Sequence, residues 1–357
     1  MLKKAAALFL VCASMAIWVS CGSTSSHFLY AAIPASNEIV IYREDPNSGI
    51  LTQLAGSPIT AGSAVQSIVI HPSNKFLFAA NPGENDISLF TISSLGGLNE
   101  VTPRTSVAPS GSAPTVLAMD SAGNFLYVGN SGSNNVSIFS IAAGTGALTP
   151  VAGSPFPLGI SPLNMQVSPS GAFLYITGNG TPGSIEAFSL NQGVPSVVAG
   201  TPFLTGGGPY GLAIASSGKF LYVANTLNNS ISEFTVNADG SLTQFSNSPI
   251  GEQYSNPVAL LIDKSGKYMY VANQGSTNLA AFSIGSDGAL TLLTNSPFAT
   301  GAQPSVIAMD PGGKYLFVGN QTTPRVQSFS LDTGSGTLTS VSTYSLPGST
   351  FSIAVTR

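Results

Sequence analysis

The sequence carries, at residues 219–225, the stretch Lys219-Phe220-Leu221-Tyr222-Val223-Ala224-Asn225, and close variants of it recur along almost the whole chain. The aromatic residue that opens each copy occurs at Phe28, Phe76, Phe125, Phe173, Phe220, Tyr268 and Tyr315. Successive copies are 48, 49, 48, 47, 48 and 47 residues apart. A fixed period of about 20 to 50 residues is typical of solenoids and propellers. The sequence therefore predicts seven copies of one structural unit.

Each unit is predicted to contain four short strands. In the last full unit, residues 304–309 form an apolar strand, 310–314 a turn, 315–319 a second strand, 326–331 a third, and 336–339 open a fourth. The first two strands are apolar on both faces, as expected for a small sheet packed between neighbouring sheets. We therefore predict an all-β fold, a seven-bladed β-propeller of four-stranded antiparallel blades.

The two ends of the chain fit one closed ring. The chain starts on a second strand and ends on a first strand near 351–355, so we expect the C-terminal strand to pair with residues 28–32 and complete the first blade. One period running from residue 28 to the end predicts a single domain over 28–357. The many turn formers, 39 Gly and 24 Pro, agree with this interpretation. The net charge of -4, without a basic stripe, argues against a nucleic-acid partner.

The N-terminus is predicted to direct export. Residues 1–20 combine Lys3 and Lys4 with an apolar segment too short to span a bilayer, and they resemble the signal peptide of a bacterial lipoprotein. Cleavage before Cys21 would leave a lipidated cysteine, a tether over 21–27 and an attachment to the membrane in the periplasm or at the cell surface. Cys12 would leave with the signal, so no internal disulfide is expected. The alternative is plain secretion with a free thiol at Cys21.

The repeat also resembles a known family. Residues 218–225 followed by 229–234 are similar to the YVTN-type repeat of the lactonase family, which includes 6-phosphogluconolactonases and carboxymuconate-cyclising enzymes. The similarity extends over residues 28–357 and implies a seven-bladed ring with a site in the mouth of its central channel. Enzymes of this family often carry Gly-Pro-Arg-His at the start of a first strand. This chain has Gly208-Pro209-Tyr210-Gly211 there, which removes a cation and a possible base.

Candidate site residues follow from what lactone hydrolysis requires, a base or metal to activate water and a donor or cation for the oxyanion. We predict Glu252 as the base and Arg325 as the anion stabiliser, and we predict that the ligand contacts Tyr210, Gln253, Tyr254 and Glu84. Glu252, Gln253 and Tyr254 form a polar insertion found in one link between blades only.

Other chemically active residues are predicted to be structural. His27 precedes the first repeat and His71 takes a turn position where other units have Asp120, Asp263 and Asp310, which we interpret as turn formers. No metal-binding spacing is present, so neither a metal nor another cofactor is predicted.

Strand alternation also predicts where the charges and amides lie. All five lysines outside the signal fall in turns on one face of the disc, and they are Lys75, Lys219, Lys264, Lys267 and Lys314. The opposite face, where propellers commonly bind ligands, keeps Arg104 and Arg325 as its cations and lacks the cluster of Arg or Lys that a phosphosugar prefers. Five asparagines end second strands on that opposite face, namely Asn81, Asn130, Asn225, Asn273 and Asn320. They either form an amide ring that binds a ligand or bond to neighbouring turn backbone.

Two classes of function remain open. The first is a monomeric cell-envelope propeller that binds a glycan or a protein, with at most weak lactonase activity. The second is a lactone hydrolase or isomerase of the 6-phosphogluconolactonase or carboxymuconate-cyclising type. The missing Arg-His pair favours the first, and the family resemblance favours the second.

Overall fold

A computed structural model of the chain describes residues 26–179, 182–251, 253 and 255–357. Within these ranges the protein consists of strands and turns, and no helix is long and apolar enough to cross a membrane. The strands form seven antiparallel sheets, which confirms the predicted fold class. We number the sheets as blades 1 to 7 in the chain order of their second strands.

Each blade contains four strands that follow one another in space. In the order of blades 1 to 7, the first strands are Ser352–Val355, Ser67–Ile70, Pro114–Met119, Ser161–Val167, Pro209–Ile214, Pro257–Ile262 and Pro304–Met309. The second strands are His27–Ile33, Phe76–Asn81, Phe125–Asn130, Phe173–Asn179, Phe220–Asn225, Tyr268–Asn273 and Tyr315–Asn320. The third strands are Glu38–Glu44, Asp86–Ile92, Asn135–Ile141, Ser184–Asn191, Ser230–Val236, Asn278–Ile284 and Arg325–Leu331. The fourth strands are Leu51–Gln53, Leu98–Ser106, Leu148–Pro150, Val194–Val197, Leu242–Gln244, Leu290–Leu292 and Leu338–Ser345.

Five blades add a fifth, two-residue strand that the sequence pattern did not predict. These strands are Ile59–Thr60, Phe156–Pro157, Phe203–Leu204, Ile250–Gly251 and Phe298–Ala299, each paired with the third strand of its blade. In blades 2 and 7 the fourth strand is long enough to cover the third strand by itself. The outer edge of the third strand is therefore paired in every blade.

The first strands stand next to one another in a closed ring around the central channel, each touching the first strand of the next blade. The ring closes as the sequence predicted, because Ser352–Val355 pairs antiparallel with residues 29–32 of blade 1. The second strand of blade 1 begins at His27, one residue before the predicted start of the domain. Thr356 extends the closure: its hydroxyl accepts a hydrogen bond from the Phe28 N–H, and its own N–H donates to the Phe28 carbonyl.

The repeated aromatic residues join each blade to the next. The ring that opens each second strand packs on a glycine in the turn between the third and fourth strands of the following blade, as Phe220 packs on Gly288. Gly288 has φ +88, a left-handed conformation that glycine adopts without strain, and a Cβ there would collide with the Phe220 ring. The buried Tyr222 hydroxyl donates to the Gly288 carbonyl at 2.7 Å. The Phe-Leu-Tyr motif thus encodes both the strand and its contact with the neighbouring blade.

The repeated aspartates form turns, as predicted. Asp120 accepts a hydrogen bond from the Phe125 N–H at 2.6 Å, and Asp263 accepts one from the Tyr268 N–H at 2.7 Å. Each carboxylate closes the turn between a first and a second strand by binding backbone amides ahead of it in the chain.

Candidate functional site

The central channel opens on one face into a cavity of about 800 Å³. Every blade contributes the residue near the start of its first strand to the wall, and in blade order these residues are Phe351, Gln66, Thr115, Leu163, Tyr210, Val258 and Ser305. The turns between second and third strands add Ser131, Thr226, Gln274 and Gln321. A cavity of this size lies within the usual range for small-molecule sites, about 300 to 1,000 Å³. We call it the mouth cavity.

A local irregularity of the strands lies at the wall of this cavity. In blades 3 to 7 the pairing between first and second strands shifts register at the residues that line the mouth, for example between Pro209 and Leu212. Such bulges commonly re-aim side chains next to binding sites. A proline at the strand start fits this position, because it has no N–H to donate to the ladder.

The mouth cavity offers free hydrogen-bonding groups. Within the described part of the chain, the side-chain amides of Gln66, Asn164, Gln274 and Gln321 line the cavity without forming any hydrogen bond to protein. An amide carries two donors and an acceptor with two lone pairs. These groups can therefore bind hydroxyl and carbonyl oxygens of a ligand.

The described wall of the mouth cavity is uncharged. Among the described residues that line it there is no Asp, Glu, Lys, Arg or His, and Tyr210 is the one ionisable group. Burial raises the pKa of Tyr210, so its hydroxyl stays protonated at neutral pH and remains a donor. Among the predicted ligand-binding residues that the structure describes, Tyr210 is the one in this wall.

The other predicted residues of the insertion are described only in part. Gln253 is exposed in the link between blades 5 and 6 and does not line the mouth cavity. Glu252 and Tyr254, like Cys21 and the predicted signal peptide, lie outside the described residues. The roles predicted for them stay predictions.

Glu84 lies in an ion-paired cluster of blade 2 and not in the wall of the mouth cavity. Its carboxylate pairs with the Arg104 guanidinium, whose Nε also donates to Glu100 at 2.6 Å. The Asp86 carboxylate lies 4.0 Å from the same guanidinium and accepts a hydrogen bond from Asn81. The hydrogen bond from Arg104 to Glu100 and the nearby carboxylates raise the pKa of the Arg104 guanidinium.

Arg325 also lies outside the wall of the mouth cavity. It opens the third strand of blade 7, and its guanidinium donates to the Thr300 carbonyl at 2.8 Å. This carbonyl belongs to the link between blades 6 and 7, where Gly301 leaves room for the guanidinium. Arg325 thus connects the link to blade 7, and its role as an anion stabiliser stays a prediction.

The recurring asparagines are buried and do not line the mouth cavity. Asn81, Asn130, Asn225, Asn273 and Asn320 are fully buried. Most of their amides donate to side chains of the adjoining third strand, as Asn225 does to Ser230 at 3.0 Å and Ser232 at 2.9 Å. Most of them therefore hold hairpins together through side chains, and not through the turn backbone, which was one of the two predicted arrangements.

The lysine-bearing face has its own small cavity, of about 370 Å³. It is lined by Lys264, Asp310 and Arg357 together with four apolar or proline residues. Since it lies at the turns between first and second strands, it is at the opposite end of the first strands from the mouth cavity. This arrangement agrees with the predicted separation of the lysines from the binding face.

A second group of ionisable residues was missed by the sequence analysis. His27, Glu44 and Asp310 come together at the junction of blades 1 and 7, with candidate ligand atoms all within 4.8 Å of one another. Burial, with smaller contributions from the Asp310 and Asp45 charges, raises the pKa of Glu44 to about 8. Burial lowers the pKa of His27, against the opposing effect of Asp310. Alignment of the repeats could have singled out Glu44, because the equivalent residue is aliphatic in the six other units.

Comparison with known proteins places the chain among lactonase-like propellers. The family described as lactonase, 7-bladed beta-propeller, matches residues 57–158 and 164–354. A candidate 6-phosphogluconolactonase from Bacteroides fragilis superposes with a TM-score of 0.80 at 21% identity, covering 94% of this chain and 99% of the other. The periplasmic gluconolactonase PpgL from Pseudomonas aeruginosa superposes with a TM-score of 0.76 at 21% identity, covering 93% and 99%. No curated protein sequence matches the chain.

Proposed function

Because the chain belongs to the lactonase family of seven-bladed β-propellers, we propose that it hydrolyses an unphosphorylated, polyhydroxylated lactone in the mouth cavity. The observation that carries this proposal is the described wall of the cavity, which is uncharged and presents unbonded amides. Such a wall suits the hydroxyl groups of a sugar lactone.

Each group has a chemical task in this proposal. The amides of Gln66, Asn164 and Gln274 bind the sugar hydroxyls. The Tyr210 hydroxyl donates to the carbonyl oxygen of the lactone and stabilises the oxyanion that forms when water attacks the acyl carbon. The bond between the acyl carbon and the ring oxygen then breaks, the ring oxygen takes a proton, and a hydroxy acid is released. Glu252 is the proposed base that removes a proton from the attacking water.

Charge argues against a phosphorylated substrate. Phosphate groups are usually bound by Arg or Lys, and no Arg or Lys is among the described residues that line the mouth cavity. Lys264 and Arg357 line the small cavity at the other end of the first strands. The similarity to a protein named as a gluconolactonase supports the same choice.

A second candidate function is favoured by one observation, the absence of a carboxylate or imidazole among the described residues of the wall. In this alternative the protein binds a neutral glycan at the cell envelope without turnover. Both functions are compatible with the proposed export and with anchoring of the ring by a lipidated Cys21.

The test compares hydrolysis of gluconolactone and 6-phosphogluconolactone by pH-stat, after subtraction of spontaneous opening. We expect faster turnover of the unphosphorylated lactone. We expect losses of about 100-fold to 1,000-fold in kcat for Tyr210→Phe and about 100-fold to 10,000-fold for Glu252→Gln. Tyr42→Phe is the matched control, because Tyr42 is buried in blade 1 and its hydroxyl donates to the Ser345 carbonyl. Arg325→Ala shows whether the guanidinium acts on the substrate.

Three other outcomes would contradict the proposal. Turnover of the phosphorylated lactone at about 10 per second, the median for enzymes, would overturn the proposed substrate class. Calorimetric binding of a neutral lactone or oligosaccharide without turnover would favour the glycan-binding alternative. Both functions would be rejected if the protein showed neither binding nor turnover.

A further inference from the structure

The junction between the first and last blades contains a cluster of three potential metal ligands. His27 and Glu44 face each other directly in the pairing of the second and third strands of blade 1. Asp310 belongs to the first turn of blade 7. The His27 Nδ1 atom and the Glu44 Oε2 atom are 3.5 Å apart, and all three candidate ligand atoms lie within 4.8 Å of one another.

Glu44 is an unusual residue for its position. Its side chain is 0% exposed, and neither carboxylate oxygen has a hydrogen-bond partner among the described residues. The Nδ1 atom of His27 is likewise buried without a partner. The equivalent residues of the six other blades are all aliphatic, namely Ile92, Ile141, Leu190, Val236, Ile284 and Leu331. A carboxylate placed in an aliphatic position of the blade core is costly unless something binds it.

The Asp310 carboxylate is held in one orientation by the backbone of its turn. Its Oδ1 atom accepts hydrogen bonds from the Lys314 and Tyr315 N–H groups, each at 2.6 Å, and its Oδ2 atom accepts one from Gly312 at 2.7 Å. Backbone donors of this kind hold a ligating carboxylate in a fixed orientation. Each carboxylate oxygen has two lone pairs, so Oδ2 keeps one for a further partner.

We propose that His27, Glu44 and Asp310 bind one divalent transition-metal ion, with Zn²⁺ as the best match, and that this ion ties blade 1 to blade 7. Zinc accepts one imidazole nitrogen and carboxylate oxygens at about 2.0 to 2.2 Å, which gives ligand–ligand edges of about 3.4 Å in a tetrahedron. The separation of 3.5 Å between His27 and Glu44 equals such an edge. The widest separation is at most 4.8 Å, so side-chain movement must shorten it by up to about 1.4 Å to reach this edge.

The donor set also balances charge. Two carboxylates and a neutral imidazole compensate the double charge of the ion, so a buried complex carries no net charge. Mg²⁺ and Ca²⁺ fit less well, since they prefer six or more oxygen ligands. The cavity of about 370 Å³ reaches Asp310 and provides room for a water molecule as the fourth ligand. Lys264 lines that cavity too, but its ammonium donates to the Pro311 carbonyl.

The position of the site indicates a structural role. The ring closes inside blade 1, where Ser352–Val355 pairs with residues 29–32, and the cluster joins His27 and Glu44 of this blade to Asp310 of blade 7. Asp310 lies at the lysine-bearing end of the channel, away from the mouth cavity. The proposal is therefore independent of the proposed lactonase activity, and removal of the metal should leave ligand binding at the mouth unchanged while the ring stays folded.

The test uses the whole mature chain in a Cys21→Ser background, so that no thiolate competes for metal. After chelation and dialysis, Zn²⁺ is titrated by calorimetry, bound zinc is counted by mass spectrometry, and Co²⁺ is added to record its visible absorption. We expect one zinc ion per chain, a rise in Tm with Zn²⁺, and cobalt absorption typical of a low-symmetry site with nitrogen and oxygen ligands.

Matched variants identify the ligands. Glu44→Gln and Asp310→Asn should each weaken zinc binding by at least about 100-fold, the upper end of the loss seen for groups that merely support a ligand. Glu233→Gln and Asp263→Asn are the controls, because Glu233 is an equally buried glutamate of blade 5 and Asp263 holds the same turn in blade 6. Both controls should bind zinc like the parent chain.

A further variant separates loss of zinc binding from loss of folding. Glu44→Leu restores the aliphatic residue of the six other blades, so it should fold, raise the Tm of the metal-free protein and abolish the response to Zn²⁺. The proposal is overturned if zinc does not bind stoichiometrically, if Glu44→Leu retains zinc binding, or if the control variants lose as much affinity as the ligand variants.

Discussion

Removal of residues 350–357 should destabilise the entire ring, because blade 1 then loses its first strand. The deleted segment makes at least six hydrogen bonds to blades 1, 2 and 7 outside the strand ladder: two between Phe28 and Thr356, one from Ile68 to Ser352, one from Ser305 to Thr350 and two between Asn74 and Arg357. At about 1 kcal/mol net for each bond, and about 2 kcal/mol for burial of the Ile353 side chain, the loss is about 8 kcal/mol. The total stability of a protein is about 5 to 15 kcal/mol.

The truncated chain is therefore expected to be largely unfolded or to melt far below the full-length protein. Thermal and urea unfolding followed by circular dichroism measure the difference, and a synthetic peptide of residues 349–357 should restore part of the lost stability. Ile353→Ala is a milder version, expected to cost about 2 to 4 kcal/mol. Val197→Ser is the control, because Val197 is 70% exposed on a fourth strand. An unchanged Tm and an unchanged urea midpoint after truncation would refute the reasoning about closure.

Three further predictions concern other parts of the chain. Tyr222→Phe leaves the Gly288 carbonyl without its donor and should cost about 1 to 3 kcal/mol in urea unfolding; no change would mean that water replaces the hydroxyl. Burial raises the pKa of Glu233, so the folded protein holds this proton to higher pH than the unfolded chain. The resulting stability is complete below pH 4.5, the ordinary pKa, and is lost as pH rises through the raised value. Glu233→Gln should flatten this fall of Tm with pH, and an identical slope in both proteins would contradict the assignment. Mass spectrometry of protein from its native envelope should find diacylated Cys21, whereas an N-terminus at another residue would reject lipidation.

The sequence contains most of the information about the fold because that information is repeated. A single Phe-Leu-Tyr strand would be ambiguous, but seven copies identify the strand, its turn and its neighbours. The same alignment predicts that the strand near 351–355 closes the ring, and the structure confirms this pairing with residues 29–32. The short fifth strands were missed because two residues are too few to show an alternating pattern.

Much less of the site follows from the sequence, because side chains converge through packing between distant residues. Arg325, a predicted anion stabiliser, hydrogen-bonds to the link at Thr300. Glu84, a predicted ligand contact, pairs with Arg104 from the fourth strand of the same blade. His27 and Glu44 meet Asp310 only because the ring closes, and no spacing rule could join residues so far apart in the chain.

Residues that differ between the blades indicate function, whereas residues that the blades share specify the fold. The wall position near the start of each first strand is occupied in blade order by Phe, Gln, Thr, Leu, Tyr, Val and Ser, seven different residue types in seven otherwise similar blades. Packing between blades does not require any one of them, since all seven are accepted. A ligand without sevenfold symmetry needs such a varied wall, because seven identical side chains would present the same group from every direction. Substitutions in this wall should therefore change ligand binding at small cost in stability, and substitutions at the inter-blade tyrosines should do the reverse.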